Sequence, residues 1–106
     1  MSSKKIIAIK INHKDNVATI FNEVVKSSEV VIKDIKGNTE EVSSKNDIPY
    51  GHKIAIENIS KGDKIIKYGE IIGAATEDVS IGEYVHVHNL ESIRGRGDWQ
   101  KDEVIK

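Results

Sequence analysis

Four histidines carry most of the chemistry that can be read from this chain of 106 residues. His86 and His88 stand two apart in G-E-Y-V-H-V-H-N, residues 82–89. On a strand that spacing sends both imidazoles to one face, with Tyr84 beside them and Val85 and Val87 opposite. His52 follows D-I-P-Y-G, residues 47–51, where proline presets φ and glycine closes the bend. His13 opens H-K-D-N, where Asp15 would orient an imidazole and make it more basic, with Asn16 as a further polar group. A neutral imidazole, with an ordinary pKa of about 6.5, suits both metal ligation and acid–base work. If His52 joins His86 and His88, two or three rings meet a metal ion or an anionic group. The plainer alternative leaves His86 and His88 on a solvated or subunit-facing strand, bonded to backbone. Two imidazoles without a third ligand make an incomplete metal set, with His86 and His88 its candidates.

These residues must be positioned by short strands. Residues 47–89 hold three of the four histidines, the single proline and five of the eight glycines. Within them A-I-E-N-I-S-K-G-D, residues 55–63, is echoed by A-T-E-D-V-S-I-G-E, residues 75–83. Two copies are too few for a solenoid, so a compact β domain with internal pseudo-symmetry is expected. Strands are predicted at 5–11, 29–35, 52–58, 64–67, 70–76 and 83–88, with a hairpin closing at 36–39. Asp15 is expected to cap a short helix, because Val17, Ile20, Phe21 and Val24 fall at helical spacing. The expected class is mainly β with that one short helix. Residues 1–90 form the domain, and 91–106 a C-terminal tail or docking segment of mixed charge.

Composition excludes several classes. Sixteen basic against seventeen acidic residues leave no surplus for neutralising phosphates, and the few aromatics offer no stacking platform, so nucleic acid is not expected as a partner. No apolar run reaches a membrane span, and the N-terminus has no signal-peptide core, so no membrane partner is expected and a cytoplasmic location fits. Without cysteine there is no thiolate ligand or thiol nucleophile. Dinucleotide, Walker, H-E-x-x-H and G-x-S-x-G motifs are absent. Glu40 and Glu41 read as solvated. Arg96-Gly97-Asp98 reads as part of the tail and not as an adhesion signal.

Three stretches, D-I-P-Y-G-H-K-I-A (47–55), I-K-Y-G-E-I-I-G-A-A (66–75) and G-E-Y-V-H-V-H-N (82–89), together resemble the SAF domain of the altronate and galactarate dehydratases. H-K-D-N-V-A (13–18) and E-S-I-R-G-R-G-D (91–98) extend the resemblance, which covers roughly residues 6–98 in order. It implies a β-clip fold and a stand-alone small subunit of a hydro-lyase that dehydrates a sugar acid such as altronate or galactarate. It also implies a separate large catalytic subunit and a divalent metal, iron or another, in the assembled enzyme. The split small subunit of sulfolactate sulfo-lyase is similar. The resemblance makes His52, His86, His88 and His13 the candidate catalytic residues. Lys53 and Lys67 would meet the anionic substrate as point charges, with Tyr68, Asn89, Asp15 and Asn16 as further substrate contacts. A non-catalytic substrate-binding or assembly module is the alternative, and exposed strand edges leave a homo-oligomer open.

Overall fold

The computed structural model describes residues 6–92. Among them there are nine strands and no helix. No helix is long and apolar enough to cross a membrane. The strands are β1 (Ile6–Lys10), β2 (Val17–Ile20), β3 (Glu29–Asp34), β4 (Thr39–Ser43), β5 (Lys53–Ala55), β6 (Lys64–Lys67), β7 (Glu70–Ala75), β8 (Tyr84–Val85) and β9 (Leu90–Ser92). They make a six-stranded sheet in the order β4-β3-β1-β2-β5-β8 and a three-stranded sheet in the order β6-β7-β9. Only the β1–β3 pair of the named pairings is parallel.

The mainly β expectation holds, and the expected hairpin is the β3–β4 pair. The short helix after Asp15 does not form. Val17, Ala18, Thr19 and Ile20 are buried as β2, and they alternate. Val17 enters one apolar cluster while Ala18 and Ile20 enter another. Three of the four are β-branched, which suits a pleated strand packed on both faces. Phe21, assigned to the helix's apolar stripe, is 46% exposed. Asp15 closes a tight turn, its Oδ2 accepting from Ile11 N at 3.1 Å and Asn12 N at 3.0 Å. The boundary expected after residue 90 falls within β9, where Glu91 and Ser92 pair with Ala74 and Gly73 of β7.

Connections between strands repeat one ten-residue design four times, at residues 21–30, 45–54, 56–65 and 76–85. In each copy the fourth residue forms an isolated bridge: Val24 with Ile48, and Ile59 with Val79. The seventh is in the left-handed region: Ser27 at 72°, Gly51 at 86°, Gly62 at 91° and Gly82 at 96°. The tenth (Val30, Ile54, Ile65, Val85) is fully buried. The copies pair by approximate twofold exchange. Gly62 N donates to Ala75 O at 2.8 Å, and Gly82 N to Ala55 O at 2.9 Å. Lys61 N donates to Asp78 Oδ1 at 2.9 Å, and Ile81 N to Asn58 Oδ1 at 3.0 Å. The first two copies obey the same scheme, with Gly51 N on Ile20 O and Ser27 N on Ser44 O, both at 2.9 Å. Lys26 N completes it by donating to Asp47 Oδ1 at 2.8 Å.

Two apolar clusters result. One gathers Ala8, Ala18, Ile20, Ile32, Ile48 and Ile54 among others, and the second Val17, Ala55, Ile59, Ile65, Val79 and Val85. The β2–β5 ladder divides them, since paired Val17 and Ala55 face one while paired Ala18 and Ile54 face the other. The smaller sheet is stitched on by Asn16. Its Nδ2 donates to Lys64 O at 2.9 Å and its Oδ1 accepts from Ile66 N at 2.8 Å.

Two glycines of this scheme should respond differently to the same change. A Cβ on Gly62 meets nothing within 4 Å, so Gly62→Ala carries only the left-handed cost of about 1–2 kcal/mol. A Cβ on Gly82 also collides with the carbonyl oxygen of Ser43. Urea unfolding should rank Gly82→Ala as clearly less stable than Gly62→Ala. Equal losses would mean that the two copies do not meet their neighbours as described.

Candidate active site

His52 is the eighth residue of its copy, and its role follows from comparison with the others. In the third and fourth copies the eighth residue is an acid that caps its own turn. Asp63 Oδ2 accepts from Ser60 N at 3.1 Å, and Glu83 Oε2 from Ser80 N at 2.9 Å. In the His52 copy the serine position is Pro49, which has no N–H to cap. The backbone bend is kept, with His52 N donating to Pro49 O at 3.1 Å. The side chain is thereby released from turn duty.

The ring turns to Tyr84, whose hydroxyl lies 2.8 Å from His52 Nδ1. His86 lies 4.5 Å from His52 between ring centroids, and it is nearly parallel to Tyr84 at 8° and 5.7 Å. His88 reaches Tyr84 at 5.2 Å. His52, His86 and His88 therefore surround one phenol. They do not meet through the continuous strand predicted over residues 83–88. That strand ends at Val85, and His86 begins a turn closed by Asn89 N donating to His86 O at 3.0 Å. Asn89 is 1% exposed and organises the turn, its Oδ1 accepting from His86 N and its Nδ2 donating to Tyr84 O, both at 2.9 Å. Both ends of the Asn89 amide thus serve the fold.

A cationic pair stands nearby. Lys53 is the cross-strand partner of Thr19 on one side and Val85 on the other. Partial burial, then repulsion from Lys67, lowers its pKa. Lys67 Nζ sits 4.9 Å over the Tyr68 ring, and the Tyr68 hydroxyl is 3.4 Å from Thr19 Oγ1. Tyr68 has φ of 57° and Gly69 of 78°, the two left-handed positions of a type I′ hairpin turn. A bulky side chain at such a position is a strained choice. The tip is pinned by Gly69 N donating to Asp15 Oδ1 at 2.8 Å. Lys53 reaches His86 electrostatically: burial first, then His52, Lys53 and His88, hold His86 below the ordinary value of 6.5.

The remaining expected site residues are placed elsewhere. Asp15, 1% exposed, and Asn16, 9% exposed, spend their side chains on the turn and on the smaller sheet. His13 is exposed and lines a shallow depression with Lys10, Asn12, Asp34, Lys36 and Asn38. No hydrogen bond or ring contact joins it to the other three histidines among the described residues. Arg96-Gly97-Asp98 and the tail beyond Ser92 lie outside the described residues. A divalent metal fits the described residues poorly, since no three His, Cys, Asp or Glu side chains among them are grouped to hold one. Tyr84 and Thr19 were missed as site residues. The signal available for Tyr84 was its shared parity with His86 and His88.

Comparison with known proteins gives this geometry its context. The model of the altronate/galactarate dehydratase SAF domain matches residues 6–93. Altronate dehydratase of Bacillus subtilis is 39% identical over 84 residues, covering 79% of this chain and 16% of that protein. Altronate dehydratase of Escherichia coli is 38% identical over 99 residues, covering 87% of this chain and 19% of that protein. The chain thus spans less than a fifth of these dehydratases. It spans 87% of the alpha subunit of (2R)-sulfolactate sulfo-lyase from Chromohalobacter salexigens, at 32% identity over 82 residues. On this match the chain belongs to the altronate/galactarate dehydratase SAF domain family.

Proposed function

We propose that this domain is the small subunit of a hydro-lyase and forms one wall of its active site, working with a separate large catalytic subunit on a sugar acid such as altronate or galactarate. Dehydration removes the proton α to a carboxylate. The C–H electron pair becomes the new double bond, the Cβ–O bond breaks with its pair going to the oxygen, and that oxygen takes up a proton and leaves as water. The chemistry needs a base, a proton source and positive charge near the carboxylate. The carrying observation is that three imidazoles converge on Tyr84 beside a Lys53–Lys67 pair. His86, held in its neutral form, is the base candidate. His52 and His88 complete the catalytic set, and His13, in its separate depression, stands outside it. Lys53, Lys67 and Tyr68 take the carboxylate. Whatever divalent ion the complete enzyme uses is assigned to the large subunit. A second reading, the small subunit of a sulfolactate sulfo-lyase, is favoured by the 87% coverage of that alpha subunit.

The decisive experiment reconstitutes the chain with its large subunit and compares turnover of altronate, galactarate and sulfolactate. His52→Gln and His86→Gln should each lower kcat by about 100-fold or more on the true substrate. Intact turnover in both variants would make this an assembly module.

Protonation gives a second check. A histidine depressed in the folded state binds its proton more readily when unfolded, so stability is complete above the ordinary value of 6.5 and declines as pH falls through it. Urea midpoints measured across that range should fall less steeply for His86→Gln than for the parent. Identical slopes would place the pH dependence elsewhere.

Metal titration separates the subunits. Calorimetric addition of Mn²⁺ or Fe²⁺ to the isolated chain should give no saturable binding. Saturation lost in His86→Gln and His88→Gln would instead move the ion onto this chain.

A further inference from the structure

The hydrogen bond between Tyr84 and His52 can be shared in two ways, and they are unequal. A phenol O–H, with pKa of about 10, is a good donor, while its oxygen is a feeble acceptor. The bare nitrogen of neutral imidazole is a strong acceptor. The hydroxyl therefore donates to Nδ1 across 2.8 Å, and the ring hydrogen must reside on Nε2.

We propose that Tyr84 is a positioning residue that locks neutral His52 in its Nε2–H tautomer, so that His52 offers a hydrogen-bond donor, and not a base, to an oxygen of the bound hydroxy acid. The donor role rests on the functional reading above; the tautomer does not. Tyr84 is itself held firmly. Its N–H donates to Asn46 Oδ1 and its carbonyl accepts from Asn89 Nδ2, both at 2.9 Å. Its backbone pairs with Ile54 of β5, and its ring packs against the larger apolar cluster. The anchored ring lies parallel to His86 at 5.7 Å between centroids and 5.2 Å from His88, so one side chain borders all three imidazoles. The His52 side chain makes no other hydrogen bond among the described residues, because Pro49 has no N–H of the kind that the counterparts Asp63 and Glu83 cap.

The lock divides labour among the rings. An N–H fixed before substrate arrives stabilises negative charge that develops on an oxygen during proton abstraction, without reorganisation at that moment. Accepting the proton then falls to His86, whose pKa is lowered by burial and by the Lys53 ammonium nearby.

The test is nitrogen-15 NMR of the full chain with labelled histidine, reading two-bond couplings from the ring carbon-bound protons. His52 should show a protonated Nε2 and an Nδ1 shifted by an accepted hydrogen bond. Tyr84→Phe keeps the ring and its packing, so it should move Nδ1 toward the value of a free imidazole and mix the tautomers. A wild-type hydrogen on Nδ1, or nitrogen shifts unmoved in Tyr84→Phe, overturns the lock. In the reconstituted enzyme Tyr84→Phe should lower kcat with little change in KM. A demonstrated lock with unchanged kcat overturns the donor role alone, and intact turnover in the histidine variants overturns the functional reading separately.

Discussion

Everything in this domain depends on main-chain hydrogen bonds exchanged between paired turns. Ile59 and Val79 donate to each other's carbonyls at 2.8 and 2.7 Å, and Val24 and Ile48 do the same at 2.9 and 2.8 Å. Each bridge joins chain segments about twenty residues apart and buries an apolar side chain from each. Side chains alone could not fix such geometry in a chain with strands as short as two residues. The left-handed seventh residue makes it possible, because it reverses the chain at the one place where the partner's carbonyl must be met. Ser27 shows how strong the constraint is: it takes the left-handed conformation without being glycine.

A repeated frame explains why chemistry gathers where it does. Four copies offer four eighth positions, occupied by Ser28, His52, Asp63 and Glu83. Where the residue is acidic it pays for a turn; where Pro49 removes the donor, the position becomes available for other use. The fourth copy then delivers Tyr84 one strand's width from the second, because β8 pairs with β5. Backbone pseudo-symmetry supplies the approach, and a single proline breaks it in favour of function.

The sequence was legible where spacing and glycine carried the signal. The β3–β4 hairpin, the strands β5, β6 and β7 and the echo of 55–63 in 75–83 were readable from punctuation, whereas β9 fell where a tail was expected. The two earlier copies escaped because one has serine at the left-handed position and the other has proline where serine stands, which blurs the match. The helix was misread because Val17, Ile20 and Val24 do lie at helical intervals, yet the last belongs to a bridge and not to the same element. At the site, three histidines were readable as candidates, but their meeting point was not. The strand parity expected to align His86 and His88 gives way at Val85, and the Asn89 amide shapes the turn that replaces it. Asp15 and Asn16 looked chemical because buried polar side chains and catalytic ones have the same composition. Only hydrogen-bond partners separate them.

The unfavourable features of the free domain are concentrated beside that cluster. Lys53 and Lys67 repel each other, burial and then nearby positive charge disfavour the charged form of His86, and Tyr68 holds a conformation better suited to asparagine or glycine. None of these helps folding. An anion between the lysines would reverse the first and ease the second, and its binding would be strengthened by the strain removed. The twofold hydrogen-bond frame and the two apolar clusters lie beneath this surface and are complete without it. Stability is thus generated in the turns and spent along one rim. A rim prepared in this way, open and with no grouped metal ligands among the described residues, is suited to being half of a site whose other half arrives with a partner.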